Sequence, residues 1–155
     1  MIRKAEKGDI PTIETLLGQI LALHHAGRPD LFRARGSKYS PEALERIIDA
    51  METPVFVYEL DGQVVGYIMC QEQQARGDAL QPVRTLYIDD LCVETQVQGK
   101  GIGRQLFQFA MAYAKANGFY NVTLHAWQCN PSAMAFYEAM GLQTQYTCLE
   151  WIVNH

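Results

Sequence analysis

No apolar run in the 155-residue sequence approaches the roughly 18 residues needed to cross a bilayer. The N-terminus, Met1-Ile2-Arg3-Lys4-Ala5-Glu6, is charged and no apolar stretch follows it. Neither a membrane partner nor a secretory leader is therefore expected. Cysteine is sparse. Cys70, Cys92, Cys129 and Cys148 show no CxxC spacing and no short Cys/His cluster, so no metal site is expected. Three of the four lie in apolar runs, where a free thiol behaves as a small hydrophobe, and a reduced, cytoplasmic setting is the simplest reading. Positive charge is also short: 13 Lys and Arg stand against 17 Asp and Glu. That balance argues against a nucleic-acid partner, which usually needs a basic face. Internal repeats, low-complexity segments and linkers are absent. What is present is 48% hydrophobic residues, enough to bury one core, so residues 1–155 are expected to form a single domain.

Ile2 to Ala5 reads as a short strand. Asp9 is placed as an N-cap with Pro11 in the first helical turn, and Ile13, Leu16, Leu17, Ile20, Leu21 and His24 follow at helical spacing. Gly27, Pro29 and Gly36 break that pattern, leaving a loop to about Tyr39. Ser40-Pro41 starts a second helix carrying Leu44, Ile47, Ile48 and Met51 on one face. Val55–Leu60, Asp61-Gly62 and Val64–Cys70 read as a hairpin, because Asp-Gly supplies the positive φ of a two-residue turn; Gly66 is expected to mark a bulge. Gln71–Pro82 is polar and holds the next turn. Val83–Val93 is a long strand. A helix follows from about Gly101 to Asn117, buried along Ile102, Leu106, Ala110 and Tyr113 and closed by Gly118. Val122–Ala126 is a strand, Asn130-Pro131 opens a helix through Met140, and Gln143–Val153 is a final strand or hairpin arm. The order predicts an α/β (α+β) fold, a mixed sheet with helices on both faces.

Between the long strand and its helix lies Val97-Gln98-Gly99-Lys100-Gly101-Ile102-Gly103-Arg104. A helix N-terminus presents unpaired N–H groups and the positive end of the macrodipole, and both favour an anion. Gly101 and Gly103 let a phosphate approach the backbone, while Lys100 and Arg104 add positive charge. P-loop spacing is absent, and the G-x-G-x-x-G fingerprint fails at its last glycine from either starting point. On spacing alone, a plain glycine connector remains the alternative.

Gln98-x-x-Gly101-x-Gly103 resembles the Q/R-x-x-G-x-G/A signature of the GCN5-related N-acetyltransferase (GNAT) superfamily. Thr85 to Val93 is similar to the strand leading into the cofactor loop of diamine and polyamine acetyltransferases. Asn130 to Leu142 resembles the second family block, N-x-x-A-x-x-x-Y-x-x-x-G-F, with Leu142 in place of Phe. The resemblance runs from Met1 to about Ile152. It implies a central, mostly antiparallel twisted sheet with strands splayed at an acetyl-coenzyme A site. It also implies an acyltransferase of the EC 2.3.1 type, acting on a primary amine of a small molecule or peptide by direct attack in a ternary complex. Within it, Gln98 to Arg104 would hold the pyrophosphate, Leu91, Cys92 and Val93 would bind the pantetheine arm along their backbone, and Asn130 would reach the pantetheine amides. The alternative is a non-catalytic acyl-CoA sensor on the same fold.

Attack on a thioester needs a neutral amine, a stabilised oxyanion and a protonated leaving thiolate. The resemblance places Tyr137 beside the sulfur, where a phenol suits the general acid; its plainer reading is an aromatic packing a helix on the sheet. Asp89 stands where polyamine enzymes carry a glutamate, which makes it the candidate general base or water-positioning group. The plainer reading makes Asp89 and Asp90 structural, one capping a loop and one pairing with Arg84 or Arg104. Strand alternation would put Tyr87, Asp89, Leu91 and Val93 on one face and Ile88, Asp90 and Cys92 on the other. His24, with His25 and Arg28 beside it, Asp90 and Trp127 are candidates for the acceptor wall; Tyr39 and Tyr58 are alternatively core or cation-facing. The acidic residues favour a cationic acceptor, and the apolar last strand, Tyr146 to Val153, is a candidate homodimer contact.

Overall fold

A computed structural model describes residues 1–154. The chain divides into two compact units, Met1–His125 and Ala126–His155. The first contains β1 (Ile2–Lys4), α1 (Ile10–Gly27), α2 (Pro41–Asp49), β2 (Val55–Leu60), β3 (Gln63–Gln74), β4 (Arg84–Val93), α3 (Ile102–Ala116) and β5 (Asn121–Leu124); the second contains α4 (Pro131–Ala139). The sheet order is β1-β2-β3-β4-β5. Every neighbour pair is antiparallel except β4 with β5, which is parallel. This is the mixed sheet that the order of elements predicts, mostly antiparallel as the family resemblance implies.

Alternation along the strands sorts the core into two faces. Val55, Val57, Tyr67, Met69 and Cys92 pack with Ile13, Leu16 and Leu17 of α1 and Leu44 and Ile48 of α2. On the other face, Phe56 meets the rings of Phe109 and Tyr113 of α3 at 4.8 and 5.4 Å. Gly66 is required there: a Cβ would stand 3.0 Å from the Cys92 carbonyl and 3.2 Å from Leu106. The helices thus cover both faces of the sheet. Leu106, Phe107 and Ala110 are wholly buried. Phe107 was not expected in the stripe, and Tyr113 sits only at its margin.

Local chemistry explains most boundaries. Ser40 caps α2, its hydroxyl accepting from the Ala43 N–H at 3.1 Å. Asp61 and Gly62 turn the hairpin with φ of 52° and 77°. The register slips by one residue between Tyr58 and Glu59, next to Gly66, as a bulge. Asp9 departs from expectation. It begins α1, but its carboxylate makes no cap; it receives the Arg3 guanidinium at 2.8 and 3.0 Å and the Glu6 N–H at 2.8 Å. A planar fork satisfies both carboxylate oxygens better than helix N–H groups do. Both groups shift accordingly, the Arg3 hydrogen bonds lowering the Asp9 pKa.

Three further expectations are corrected. Met51 lies beyond α2 and is exposed, because the helix stops at Asp49. β3 runs to Gln74, past Cys70: its polar second half pairs with β4 as far as Arg84, so the backbone ladder carries residues that hydrophobicity does not mark. Gln143 to Ile152 is in neither helix nor strand, since apolar alternation makes a strand only where a ladder partner accepts its backbone groups.

Candidate active site

A second register slip, between Met69 and Cys70, shapes β4. Met69 pairs with Asp90 and Cys70 with Ile88, so Asp89 is the extra residue of a bulge. A bulge re-aims side chains that alternation would separate. Asp90, opposite Met69, faces α1, and its carboxylate accepts from the buried Tyr67 hydroxyl at 3.1 Å. Asp89 accepts from the Tyr39 hydroxyl at 2.5 Å and from the Lys38 ammonium at 3.0 Å. Tyr39 packs against the same α1 core. The two carboxylates therefore serve one cluster and do not lie on opposite faces. Neither pairs with Arg84, which instead binds Glu72 and the Asn117 carbonyl.

The electrostatics of the pair is unequal. Burial, reinforced by the neighbouring Asp89 charge, pushes the Asp90 carboxyl up to about 6, against the pull of Lys38 and of the Tyr67 hydrogen bond. Tyr39 and Tyr67 are both held above the phenol range, first by desolvation and then by their carboxylate partners. His24 is lowered, chiefly by burial and then by the Lys38 charge. Its ring lies 4.8 Å from Phe32, and His25 Nδ1 lies 2.8 Å from the Phe32 carbonyl. The residues after α1 therefore fold back onto that helix before reaching Lys38.

The bulge also ends a pairing. β5 matches β4 only from Thr85 to Ile88. From Asp89 to Val93, β4 continues along β3 alone, so Leu91, Cys92 and Val93 follow the point where the two parallel strands part. Cys92 is buried, with its thiol toward the Leu16 carbonyl at 3.5 Å, and burial pushes that thiol up to about 12. Its side chain is core; its backbone is what the edge offers.

The chain then makes a single 3-10 turn, Thr95–Val97, and enters the glycine loop. Gln98 turns its amide inward, donating to the Val93 carbonyl at 3.1 Å, and so ties the loop to the strand end. Gly99 and Gly101 have φ of 87° and 78°, the left-handed region that favours glycine. Nothing lies within 4 Å of a Cβ built at either position. The α3 ladder begins with the Gln105 N–H on the Gly101 carbonyl at 3.1 Å. The N–H groups of Ile102, Gly103 and Arg104 precede it, as at any helix start. Lys100 and Arg104 are exposed beside them, and Ile102 anchors the turn in the core.

In the second unit, Asn130 caps α4, its side-chain oxygen accepting from the Ala133 N–H at 3.3 Å. Its capping role is thus real. Tyr137 lies on α4, half-buried, its ring 5.2 Å from that of Phe136. Gly141, with φ of 96°, ends the turn, and the Leu142 N–H returns to the Tyr137 carbonyl at 3.1 Å. Trp127 is exposed before α4.

The sequence pattern of the Acetyltransferase (GNAT) family matches residues 20–142. The chain belongs to the GNAT family. Among similar proteins are an uncharacterized N-acetyltransferase of Lactobacillus delbrueckii, 29% identical over 56% of this chain and 50% of its own length, and one of Methanocaldococcus jannaschii, 28% identical over 65% and 44%. This GNAT chain spans about half the length of the curated relatives it matches. A crystal structure of the BH1408 protein from Bacillus halodurans, solved as a mutant, is similar over 99% of both chains, with a TM-score of 0.95 and 27% identity. An aminoglycoside acetyltransferase from an uncultured soil sample, in complex with sisomicin, shares the fold at a TM-score of 0.70 and 21% identity, over 99% of this chain and 96% of its own.

Two members of the GNAT chain's carboxylate cluster escaped sequence reasoning, Lys38 and Tyr67. Lys38 sits in a polar loop with no periodicity, and Tyr67 reads as ordinary strand core. The available signal was Asp89-Asp90 itself: two carboxylates between Ile88 and Leu91 break alternation, which is what a bulge does. Tyr58, by contrast, belongs to β2, where it pairs with Ile2 and Gly66.

Proposed function

We propose that the chain is a cytoplasmic, acetyl-CoA-dependent N-acetyltransferase, with residues 1–155 forming one catalytic domain. It acetylates a primary amine of a small molecule or peptide by direct attack in a ternary complex, without a metal. The observation that carries this reading is continuity: the β4 edge from Leu91 to Val93, left by β5 after Ile88, leads through one 3-10 turn into the left-handed Gly99 and Gly101 and the open first turn of α3. An extended, amide-bearing arm ending in a pyrophosphate has the chemistry for such a track, strand hydrogen bonds first and helix N–H groups last.

When bound, acetyl-CoA supplies the thioester carbonyl and the leaving thiolate. A Leu91–Val93 backbone N–H polarises the carbonyl, Asn130 holds the arm through its amide, and Tyr137 donates the proton that the thiolate takes. Asp89 orients the incoming ammonium. The base role expected of Asp89 falls in this reading to Asp90, whose carboxyl burial pushes up to about 6 and which accepts the proton that the amine must lose, directly or through a water. His24 and Trp127 contribute to the acceptor wall. The acidic pair suits a cationic acceptor of the diamine or polyamine kind.

Acetyl-CoA at a hundredfold excess over its dissociation constant is expected to stabilise the protein by about 2.7 kcal/mol, read as a thermal shift. A panel of amines should release free thiol from acetyl-CoA, cationic acceptors fastest. No thermal shift at millimolar acetyl-CoA would end this reading.

The segment Tyr146 to Val153 is assigned to a homodimer contact. Leu149, Trp151 and Val153, alternate residues of this segment, are 88%, 84% and 73% exposed, a large apolar row for a lone chain. Light scattering should give twice the chain mass for the wild type and a monomer for Trp151→Glu. A monomeric wild type at micromolar concentration removes the dimer.

A further inference from the structure

The Lys38 side chain carries a primary amine, the same functional group as the proposed acceptor, and it rests on Asp89. Its Nζ lies 3.0 Å from Asp89 Oδ1, 3.2 Å from the Asp89 carbonyl oxygen and 5.6 Å from the centre of the Tyr39 ring. A carboxylate, a carbonyl and an aromatic face converge on one ammonium. The other Asp89 oxygen is held by the Tyr39 hydroxyl, so the acceptor groups are positioned by packing and not by Lys38. Among the described residues Lys38 is the one cation ion-paired with either carboxylate of the bulge. Its side chain is 46% exposed, while that of Asp89 is 19% exposed. The lysine thus approaches from solvent onto a partly buried acceptor set. Exposed ion pairs of a long, flexible lysine are weak, so this one is readily exchanged for another ammonium. The contacts suit a compact point charge better than a planar guanidinium, which seeks a bidentate fork.

We infer that the Lys38 ammonium occupies the binding site of the acceptor amine, and that an external primary alkylammonium displaces it to reach Asp89. The inference rests on the proposed acetyl-transfer reading for the word acceptor, while the site itself is a cation site made of Asp89, the Asp89 carbonyl and Tyr39. Lys38 then acts as an internal competitor. It neutralises the bulge carboxylates when no substrate is present and raises the concentration of amine needed to fill the site.

The test is binding of n-butylamine to the full chain without acetyl-CoA, followed by NMR titration at pH 7. Lys38→Met should bind n-butylamine about threefold to sixfold more tightly than the wild type, the gain expected on removing a weak internal ion pair. Lys38→Arg, which keeps a tethered cation, should not gain this. Adding Asp89→Asn to Lys38→Met should abolish the gain, and n-butanol, equal in shape but neutral, should not bind. Lys38 is exposed, so Lys38→Met is expected to fold as the wild type does. Equal affinity of Lys38→Met and wild type for n-butylamine, or a gain that survives Asp89→Asn, would overturn the inference. Because acetyl-CoA is left out, loss of the acetyl-transfer reading leaves this result intact, and an absent amine effect leaves the acetyl-CoA thermal shift intact.

Discussion

Tyr137→Phe is expected to lower kcat by a hundredfold to ten-thousandfold while leaving acetyl-CoA binding within about twofold. The range is what a positioned general acid contributes to a proton transfer. The phenol suits this task because its ordinary pKa, near 10, is high enough to keep the proton at neutral pH and close enough to a departing thiolate to release it. Phenylalanine keeps the ring, and with it the packing beside Phe136 at 5.2 Å on α4, so the helix should persist. The measurement is steady-state thiol release, paired with the acetyl-CoA thermal shift. Retained turnover would return Tyr137 to the plainer role of an aromatic packing residue. The non-catalytic acyl-CoA sensor makes a different prediction: wild type and variant alike would bind acetyl-CoA and neither would turn over any amine.

Asp90→Asn is expected to stabilise the protein by about 3 kcal/mol at pH 7 to 8. The carboxyl binds its proton more tightly in the folded chain, at about 6, than in the unfolded one, near 4. Between those values the native state carries the extra proton, so stability falls as pH rises from about 4 to about 6 and stays lower above it. Two units at about 1.4 kcal/mol each set the magnitude. Asparagine is neutral at every pH, keeps an oxygen for the Tyr67 hydroxyl now at 3.1 Å, and escapes the desolvation. Urea unfolding of both proteins at pH 4, 6 and 8 gives the difference curve: near zero at pH 4 and largest at pH 8. A flat difference would mean that Asp90 is not held above its ordinary range. The same substitution should lower turnover, since it removes the proposed proton acceptor. Stability gained and activity lost together is the pattern expected where a fold holds a charge for chemistry rather than for strength.

Much of the architecture is set by local rules that a single sequence displays. Ser40-Pro41 starts α2, Asp61-Gly62 turns the hairpin, and Gly118 and Gly141 close their helices with positive φ because only a residue without Cβ enters that region cheaply. Helical periodicity located Ile13, Leu16 and Leu17 in the core, since burial of one face repeats every 3.6 residues. The glycine turn before α3 was legible for a similar reason: Gly99 and Gly101 stand at φ of 87° and 78°, where a residue without Cβ is favoured.

The carboxylate site was decided elsewhere. Asp89 and Asp90 were visible as residues, but their joint orientation comes from a register slip against β3, which sets Met69 opposite Asp90 and Cys70 opposite Ile88, and register is a property of two strands together. Lys38 and Tyr39 come to Asp89 from 51 and 50 residues away, across a loop without periodicity, and nothing local announces such a contact. β3 continues to Gln74 because β4 pairs with it, and Gln143–Ile152 lies in neither helix nor strand despite its alternation, because a strand exists only as one side of a ladder. The sequence alone therefore determined the helices, most of the strands, the family and the glycine turn before α3, each written in short-range patterns. Tertiary structure alone decided which two carboxylates face one cluster and which amine already sits on them, because those facts depend on pairings between distant segments.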